Sequence, residues 1–421
     1  MSSQSIKLYN LLAKKKLFNK TINFDLKRIK IVLKKLNNPE KKLKNVVNIL
    51  GSDGKYSVLT FLKNFIEANG QSASAYISPS LKSIRERFWL GNRFMSYKEI
   101  EQSVQLIEKL KTKLTIFELL TVIFILKVSK LKNDYNLIEA GALFAKDSTN
   151  VFDFPLSQIV VNINKQHLNF VKKKTLDEIV YQKVGFLSSF TNIYIGKQLD
   201  KTEKKIKFYL SKNKSRKVFS KSWRMIKTKK GYFYKDKKNL IKINTKLIHS
   251  KGLLDNLGLA IKVALDLGIK KNIILRSIPK IKLEARIQYV EHGKIKKRLN
   301  PGEKLLIDGC HSTTSARNFA NYLKTLNAKK YGIWGMTENK KPVDFIKQFK
   351  GIFEKVITVP VDNEKDFISP KKLSDIANRY GVKSEKSENY KKAINVISSR
   401  KKKIICVFGS LYLCGNVLRD S

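Results

Sequence analysis

The chain has 421 residues, 42% of them hydrophobic and 10% aromatic, so it can bury real cores and its length suggests two or three domains. Its 86 Lys and Arg against 34 Asp and Glu give a net charge of +52, a field that favours polyanionic small substrates such as nucleotides. That hydrophobic content argues against wholesale disorder, and the three cysteines and four histidines, with no C-x-x-C pair and no zinc spacing, argue against a disulfide scaffold and a structural zinc. The longest apolar stretch, within residues 114–126, is broken by Glu118 and falls short of the roughly 20 residues that span a bilayer, so no membrane helix is expected. Nothing at the start reads as a secretory signal, and a cytoplasmic location is expected. Lysines occur in nearly every segment, which reads as compositional drift toward Lys, Ile and Asn rather than as a nucleic-acid surface.

After a helical lead-in before residue 45, short β-branched runs alternate with longer helical patterns. That is the signature of a mostly parallel sheet with crossover helices, so the class is α/β. Val46-Val-Asn-Ile-Leu50 predicts a buried strand, followed by a glycine-rich turn and a helix through Ala68. Residues 73–77 predict a strand, 97–111 and 115–130 two helices, and 136–140 and 158–163 two more strands. Between 215 and 245 the pattern turns to lysine-rich alternation around Gly231-Tyr-Phe-Tyr234, which predicts a β-hairpin excursion. Helical periodicity returns over 252–267 and 272–277. A fresh series follows, with strands at 305–308, 331–334, 356–359 and 403–408 and helices at 314–323, 343–349 and 369–379, so a second α/β domain is expected. The expected domains are 1–283 and 284–421.

Between the first strand and its helix lies Gly51-Ser-Asp-Gly54-Lys55-Tyr-Ser57, where backbone N–H groups and the helix dipole create an anion site. Two glycines let the backbone approach phosphates, Lys55 can neutralise their oxygens, and Ser57 offers a hydroxyl at the helix start. The strict G-x-x-x-x-G-K-[ST] pattern is not met, since Ile49 and Tyr56 stand where Gly and Ser/Thr belong. An ordinary tight turn would also explain the glycines.

Further segments fall in a telling order. Gly51-Ser-Asp-Gly-Lys-Tyr-Ser57 resembles a G-T-N-G-K-G-S loop, Ile77-Ser-Pro-Ser-Leu81 with Ile84-Arg-Glu-Arg-Phe88 resembles S-P-H-L and its E-R segment, and Leu114-Thr-Ile-Phe-Glu118 resembles T-x-F-E. Residues 139–150 resemble E-V-G-L-G-G-R-L-D-A-T-N, residues 162–167 an S-I-x-L-D-H run, Gln182-Lys-Val-Gly185 E-K-A-G, Ala285-Arg-Ile-Gln288 P-G-R-x-Q, residues 306–311 a D-x-A-H-N-P run, and residues 408–415 G-S-L-Y-L-x-G. Taken together, most of the chain resembles the folylpolyglutamate synthase/dihydrofolate synthase family of the Mur ligase superfamily. The resemblance implies an N-terminal P-loop-type, Mur-ligase-like ATPase domain and a C-terminal Rossmann-like domain. It also implies an ATP-dependent ligase, monomeric by default, that joins L-glutamate to dihydropteroate or a folate through an acyl phosphate.

By the same resemblance Asp53, Gly54, Lys55, Tyr56 and Ser57 lie around the ATP phosphates, while Asn256, Arg286 and Asp308 match nucleotide contacts. Ser78, Glu139 and His167 match magnesium ligands, and Lys183 matches a lysine that the family carbamylates. The folate-side candidates are Ile22, Asn23, Thr115, Ile116, Phe117, Glu118, Lys146, Asp147 and Ser148, and His311 is a candidate contact for the incoming amino acid. Lys55, Lys183, Arg286 and His311 form the expected catalytic set. The chain departs from the family at Tyr56, Ser80, Leu143-Phe144, Ala145, Lys146, Lys165-Gln166 and Ser312. Lost glycines limit backbone approach to a ligand, and a lost acid beside His167 alters its surroundings. Two other readings stay open: a diverged nucleotide-binding paralogue with weak catalysis, and a basic nucleic-acid-binding P-loop protein.

Overall fold

The computed structural model describes residues 18–19, 25–243, 250–338, 340–362, 366–399 and 401–421. They divide into two compact units, one of Leu253–Ile281 with the described residues before 244, the other of Lys282–Ser421 with residues 250–252.

The first unit is built on seven strands: β1 (Val46–Leu50), β2 (Ala73–Tyr76), β3 (Phe88–Trp89), β4 (Tyr135–Glu139), β5 (Ser157–Val160), β6 (Asn192–Ile195) and β7 (Arg216–Phe219). Their order is β3-β2-β4-β1-β5-β6-β7, parallel throughout except for β3. Every residue of β1 and β4 is buried, as strands covered on both faces must be, with Asn48, Asn136 and Glu139 as the polar residues among otherwise apolar ones. The chain leaves β1 toward β4 and β2 on one side and later returns to β5 on the other. The carboxyl end of β1 is therefore a topological switch point, where open α/β sheets bind ligands.

Helix α1 (Lys55–Ala68) follows β1 directly, and α2 (Ile116–Val128) is apolar around its whole circumference and buried from Leu119 to Leu126. Thr115 caps α2 by accepting from the Glu118 N–H, while the Glu118 carboxylate accepts from the Thr115 N–H, a complete capping box. Helix α3 (Leu176–Val184) precedes β6, and α4 (Lys251–Asp266) runs with three antiparallel strands, β8 (Trp223–Thr228), β9 (Gly231–Asp236) and β10 (Leu240–Ile243). The expected hairpin is thus a three-stranded sheet. Its inner face packs on α4, where a Cβ on Gly258 would come within 2.5 Å of the Trp223 ring.

The second unit has six strands: β11 (Gln288–Tyr289), β12 (Glu303–Asp308), β13 (Lys329–Trp334), β14 (Lys355–Thr358), β15 (Ser384–Lys386) and β16 (Lys403–Phe408). The order β11-β12-β16-β13-β14-β15 is parallel apart from β11, and Phe319, Phe345, Phe349 and Phe408 stack into a core on one of its faces. Helix α5 (Thr313–Lys324) begins at Ser312, which exchanges capping bonds with Ser315. The α/β class, with two units each built on a largely parallel sheet, is the observed architecture.

Candidate functional site

The phosphate loop sits at the switch point. Gly51 (φ +136°) and Gly54 (φ +105°) hold backbone conformations that side chains rarely adopt, and neither has room for a Cβ, which would overlap Val161 at Gly51 and Asn256 at Gly54. Asn256, reached from α4, therefore lies against the loop itself. Gly54 caps α1, placing the first N–H groups of a 14-residue helix at the loop, with Lys55 and Tyr56 at its start and Ser57 buried one residue on. The Ser52 N–H donates to the Asn162 carbonyl at 2.7 Å, which ties the loop to the segment after β5.

Asp53 is gripped from that same segment. Asn164 Nδ2 donates to it at 2.6 Å and Gln166 Nε2 reaches both carboxylate oxygens at 3.2 Å. Here the departure from the family's acid has a physical reading, since a neutral amide can donate to Asp53 where a second carboxylate would repel it. His167 follows with φ +59°, its ring 5.9 Å from that of Phe170.

Lys55 Nζ lies 3.9 Å from Glu139 Oε1 and within 3.4–3.5 Å of the Ser52 and Gly51 carbonyls. Glu139, 3% exposed at the end of β4, also accepts from the Ser78 N–H at 3.2 Å, so Ser78, Glu139 and Lys55 meet at one point. Among the described residues no three His, Cys, Asp or Glu side chains are grouped to hold a metal. Magnesium, however, is commonly held by one or two carboxylates plus substrate phosphates and water, and a buried carboxylate beside the phosphate loop fits that donor set.

Lys183 is 1% exposed and donates to the Gly51 carbonyl at 2.8 Å and the Ala142 carbonyl at 2.6 Å, linking the phosphate loop to the loop after β4. Burial, reinforced by the charge of Lys55, pushes its amine down to about 7. Across that loop Asp147, also 1% exposed, accepts from the N–H groups of Gly141 and Thr149 and from the Thr149 hydroxyl, yet burial still raises its carboxyl to about 6. A carboxyl raised by folding stabilises below its unfolded value near 4 and loses that contribution as pH rises through about 6. Asp147→Asn is expected to flatten the fall in stability between pH 4 and 6 by about 2–4 kcal/mol, read by urea melts across that range. Equal slopes in both proteins would contradict it.

The folate-side candidates have different fates. Ile22 and Asn23 lie outside the described residues. Thr115 is half of the α2 cap and its backbone pairs with Asn19, while Ile116 is 43% exposed. The Phe117 ring packs on Tyr76 at 6.0 Å and beside Gly141, close to Asp147. Lys146 is exposed, and the Ser148 hydroxyl shares a 2.7 Å bond with Thr121. Glu118 is buried in a structural role, its carboxylate taken by the Thr115 N–H at 2.6 Å and by the Arg28 guanidinium at 2.8 and 3.3 Å. Glu118→Ala is expected to lower stability by about 2–3 kcal/mol in denaturant melts, since it removes the acceptor of the Thr115 N–H and takes from Arg28 a carboxylate closer than that of Asp25 at 3.8 Å; a change under about 0.5 kcal/mol would contradict that assignment.

The lost glycines are replaced by packing, for Phe144 is fully buried and the Phe144 and Ala145 N–H groups donate to the Gln182 carbonyl. In the second unit Arg286 lies between Ala285 and Ile287, both at φ +52°, a strained conformation for a β-branched residue. Asp308 helps to hold it, accepting from the Ile287 and Cys310 N–H groups at 2.8 Å each; burial raises its carboxyl and the Arg286 charge opposes that rise. His311 Nδ1 is 2.9 Å from the Gly309 carbonyl, just before the α5 cap. Sequence reasoning did not single out Asn164, Thr149 or Thr121. Their partners are distant in sequence, and only polar residues beside a candidate motif could have hinted at them.

A family model described as "Dihydrofolate synthetase, C-terminal domain" matches residues 288–420. The chain is 23% identical to the dihydrofolate synthetase of Saccharomyces cerevisiae, covering 94% of this chain and 98% of that one. It is 24% identical to the dihydrofolate synthase/folylpolyglutamate synthase of Buchnera aphidicola, covering 94% and 92%. Its fold superposes on E. coli FolC in complex with DHPP and ADP with a TM-score of 0.86 at 19% identity, over 99% of this chain and 97% of that one. The Mycobacterium tuberculosis folylpolyglutamate synthase complexed with ADP gives 0.84 at 17% identity, over 99% and 98%.

Proposed function

We propose that the chain is a member of the dihydrofolate synthase/folylpolyglutamate synthase family and an ATP-dependent ligase joining L-glutamate to dihydropteroate or a folate. The observation that carries this reading is the phosphate loop at the switch point, with the Lys55 amine, the buried Glu139 carboxylate and the Ser78 N–H beside it. The pterin-side carboxylate attacks the γ-phosphorus of ATP, ADP leaves and an acyl phosphate forms. The glutamate amine then attacks the acyl carbon and phosphate departs. Such a reaction asks the protein for positioning and positive charge more than for a nucleophile of its own.

In this scheme the α1 N-terminus and Lys55 balance the charge that gathers on the transferring phosphoryl group, and Asn256 fixes the loop at Gly54. Glu139 and Ser78, with His167, are the residues that would hold magnesium, which when bound supplies charge neutralisation on phosphate oxygens. Asp147, Ser148 and Phe117 serve the folate side, while Arg286 and His311 are nucleotide-side and glutamate-side candidates by the family resemblance alone. Lys183 is a carbamylation site, because an amine pushed down to about 7 is substantially neutral near that pH, the form that attacks CO2. Carbamylation would surrender one of its two N–H···O bonds. A carbamate carbon signal in 13C NMR of protein equilibrated with labelled bicarbonate, absent from Lys183→Met, is the expected result; its absence from active protein would overturn this assignment.

The enzyme is proposed to act as a cytoplasmic monomer; among the described residues no helix is long and apolar enough to cross a membrane. The test is incubation with Mg-ATP and isotope-labelled L-glutamate beside either dihydropteroate or tetrahydrofolate, with products read by mass spectrometry. Addition of one glutamyl residue to either pterin supports the reading and names the acceptor. Bound Mg-ATP with no glutamyl product from any pterin would contradict it.

A further inference from the structure

The two faces of the β8–β10 sheet carry different chemistry. Met225 pairs with Tyr234 and Tyr234 with Ile241, and this side packs on α4 at Gly258. The other side is set by the pairs Arg224↔Lys235, Lys235↔Leu240, Ile226↔Phe233 and Phe233↔Lys242. It is open: Arg224, Lys235 and Lys242 are exposed, Leu240 is 64% exposed, and Ile226 and Phe233 are partly exposed. Neighbouring strands lie about 4.8 Å apart and same-face residues about 7 Å apart along a strand, so the Phe233 ring has cations as near neighbours both across and along the sheet.

Residues 211–243 contain thirteen Lys and Arg and a single acid, Asp236, a density of positive charge well above that of the chain as a whole. The Asp236 carboxylate is already engaged, accepting from the Tyr234 hydroxyl at 2.8 Å and from the Lys238 and Asn239 N–H groups. The charge is therefore concentrated here, beyond the even drift that the sequence suggests. A plain solvated face would be polar throughout, whereas this one alternates cations with apolar groups around a ring. That alternation matches single-stranded nucleic acid, whose phosphates meet cations while its bases stack on aromatic side chains. A second copy of the chain is a poor occupant, since each copy carries +52.

We infer that the outward face of β8–β10 is a docking site for single-stranded nucleic acid, with Arg224, Lys235 and Lys242 meeting phosphates and Phe233, which lies between Ile226 and Lys242 in the register, stacking on a base. The site is independent of the ligase reaction and uses none of its residues.

The test is fluorescence anisotropy of the full chain with a labelled twelve-nucleotide oligo-dT and with an abasic strand of the same length and charge, across a salt series. Oligo-dT is expected to bind more tightly than the abasic strand. Phe233→Ala is expected to weaken oligo-dT binding by about tenfold, within the range for loss of one stacked base, and to leave the abasic strand unaffected. The combined Arg224→Glu, Lys235→Glu and Lys242→Glu variant is expected to abolish binding of both strands, whereas Lys371→Glu, Lys372→Glu and Lys383→Glu, reversing as many exposed charges in the second unit, leaves most of the affinity. Phe233→Leu repeats the stacking test should the alanine variant fold poorly. Equal losses from the two triple variants, equal affinity for abasic strand and oligo-dT, or no effect of either Phe233 substitution would overturn the site. Phosphatidylglycerol vesicles that bind in a Phe233-dependent way and displace oligo-dT would also overturn it, reassigning the face to a membrane surface.

Discussion

Lys55→Ala is expected to lower kcat for phosphate release by about 100- to 1,000-fold, the range found when one preorganised electrostatic donor is taken from a transition state. The amine contributes little to the resting structure, where its contacts with the Gly51 and Ser52 carbonyls are 3.5 and 3.4 Å long and its pairing with Glu139 spans 3.9 Å. It is held near the first turn of α1, curled back over the loop and able to extend toward a phosphate. Stability should therefore fall by no more than about 1–2 kcal/mol, so the loss of rate cannot be laid to unfolding. Parallel phosphate-release assays and thermal melts check both halves. A variant that keeps more than a tenth of the wild-type rate would remove Lys55 from the account.

Lys183→Met is expected to damage both stability and rate, and to do so with a pH signature. The substitution keeps the length of the buried side chain but removes the donor shared by the Gly51 and Ala142 carbonyls, each a buried acceptor whose loss of a partner costs about 1–3 kcal/mol. Part of that loss is offset at neutral pH, because the wild-type protein must hold an amine whose charged form is disfavoured by burial. The folded amine sheds its proton near pH 7 and the unfolded one near 10.5, so between them the unfolded chain binds more protons and wild-type stability rises with pH. A methionine cannot share in that rise. The stability gap should be about 2 kcal/mol at pH 7 and wider at pH 9, measured by urea melts. With Gly51 untethered, kcat should fall by up to about 100-fold through misplacement of the loop. An unchanged gap between the two pH values would show that the amine is not titrating as its surroundings require.

How far the site was legible in the sequence depended on whether its parts are local. Gly51, Gly54 and Lys55 are neighbours between a strand and a helix, and the positive φ of both glycines is what such a turn needs. Glu139 was legible because it ends a run of buried residues at the carboxyl edge of the sheet. The tie between Asp53 and Gln166 was not, since it joins residues 113 apart, and Gln166 in sequence looked only like a missing acid. Glu118 shows the opposite hazard. Thr115-x-x-Glu118 matched a folate-side motif, yet the same spacing is a helix start, and the carboxylate is used by the cap and by Arg28.

Strands β6 and β7 escaped the sequence reading for related reasons. Each is four residues long, and β7, at the sheet edge, opens with Arg216 and Lys217, charges that protect an edge but dilute the apolar signal of a strand. Helix α3 is only nine residues and hides its one buried cation, Lys183, among a surplus of lysines. The hairpin was recognised by its alternation around Gly231, but the third strand and the separate character of its two faces emerge only from the register.

The most direct measurement of the central claim is phosphate release by the purified protein from Mg-ATP, with each co-substrate omitted in turn. The account predicts release that requires both the pterin and L-glutamate, and that disappears in Lys55→Ala. Release that proceeds without either co-substrate, or none with any pterin while Mg-ATP still binds, would contradict it.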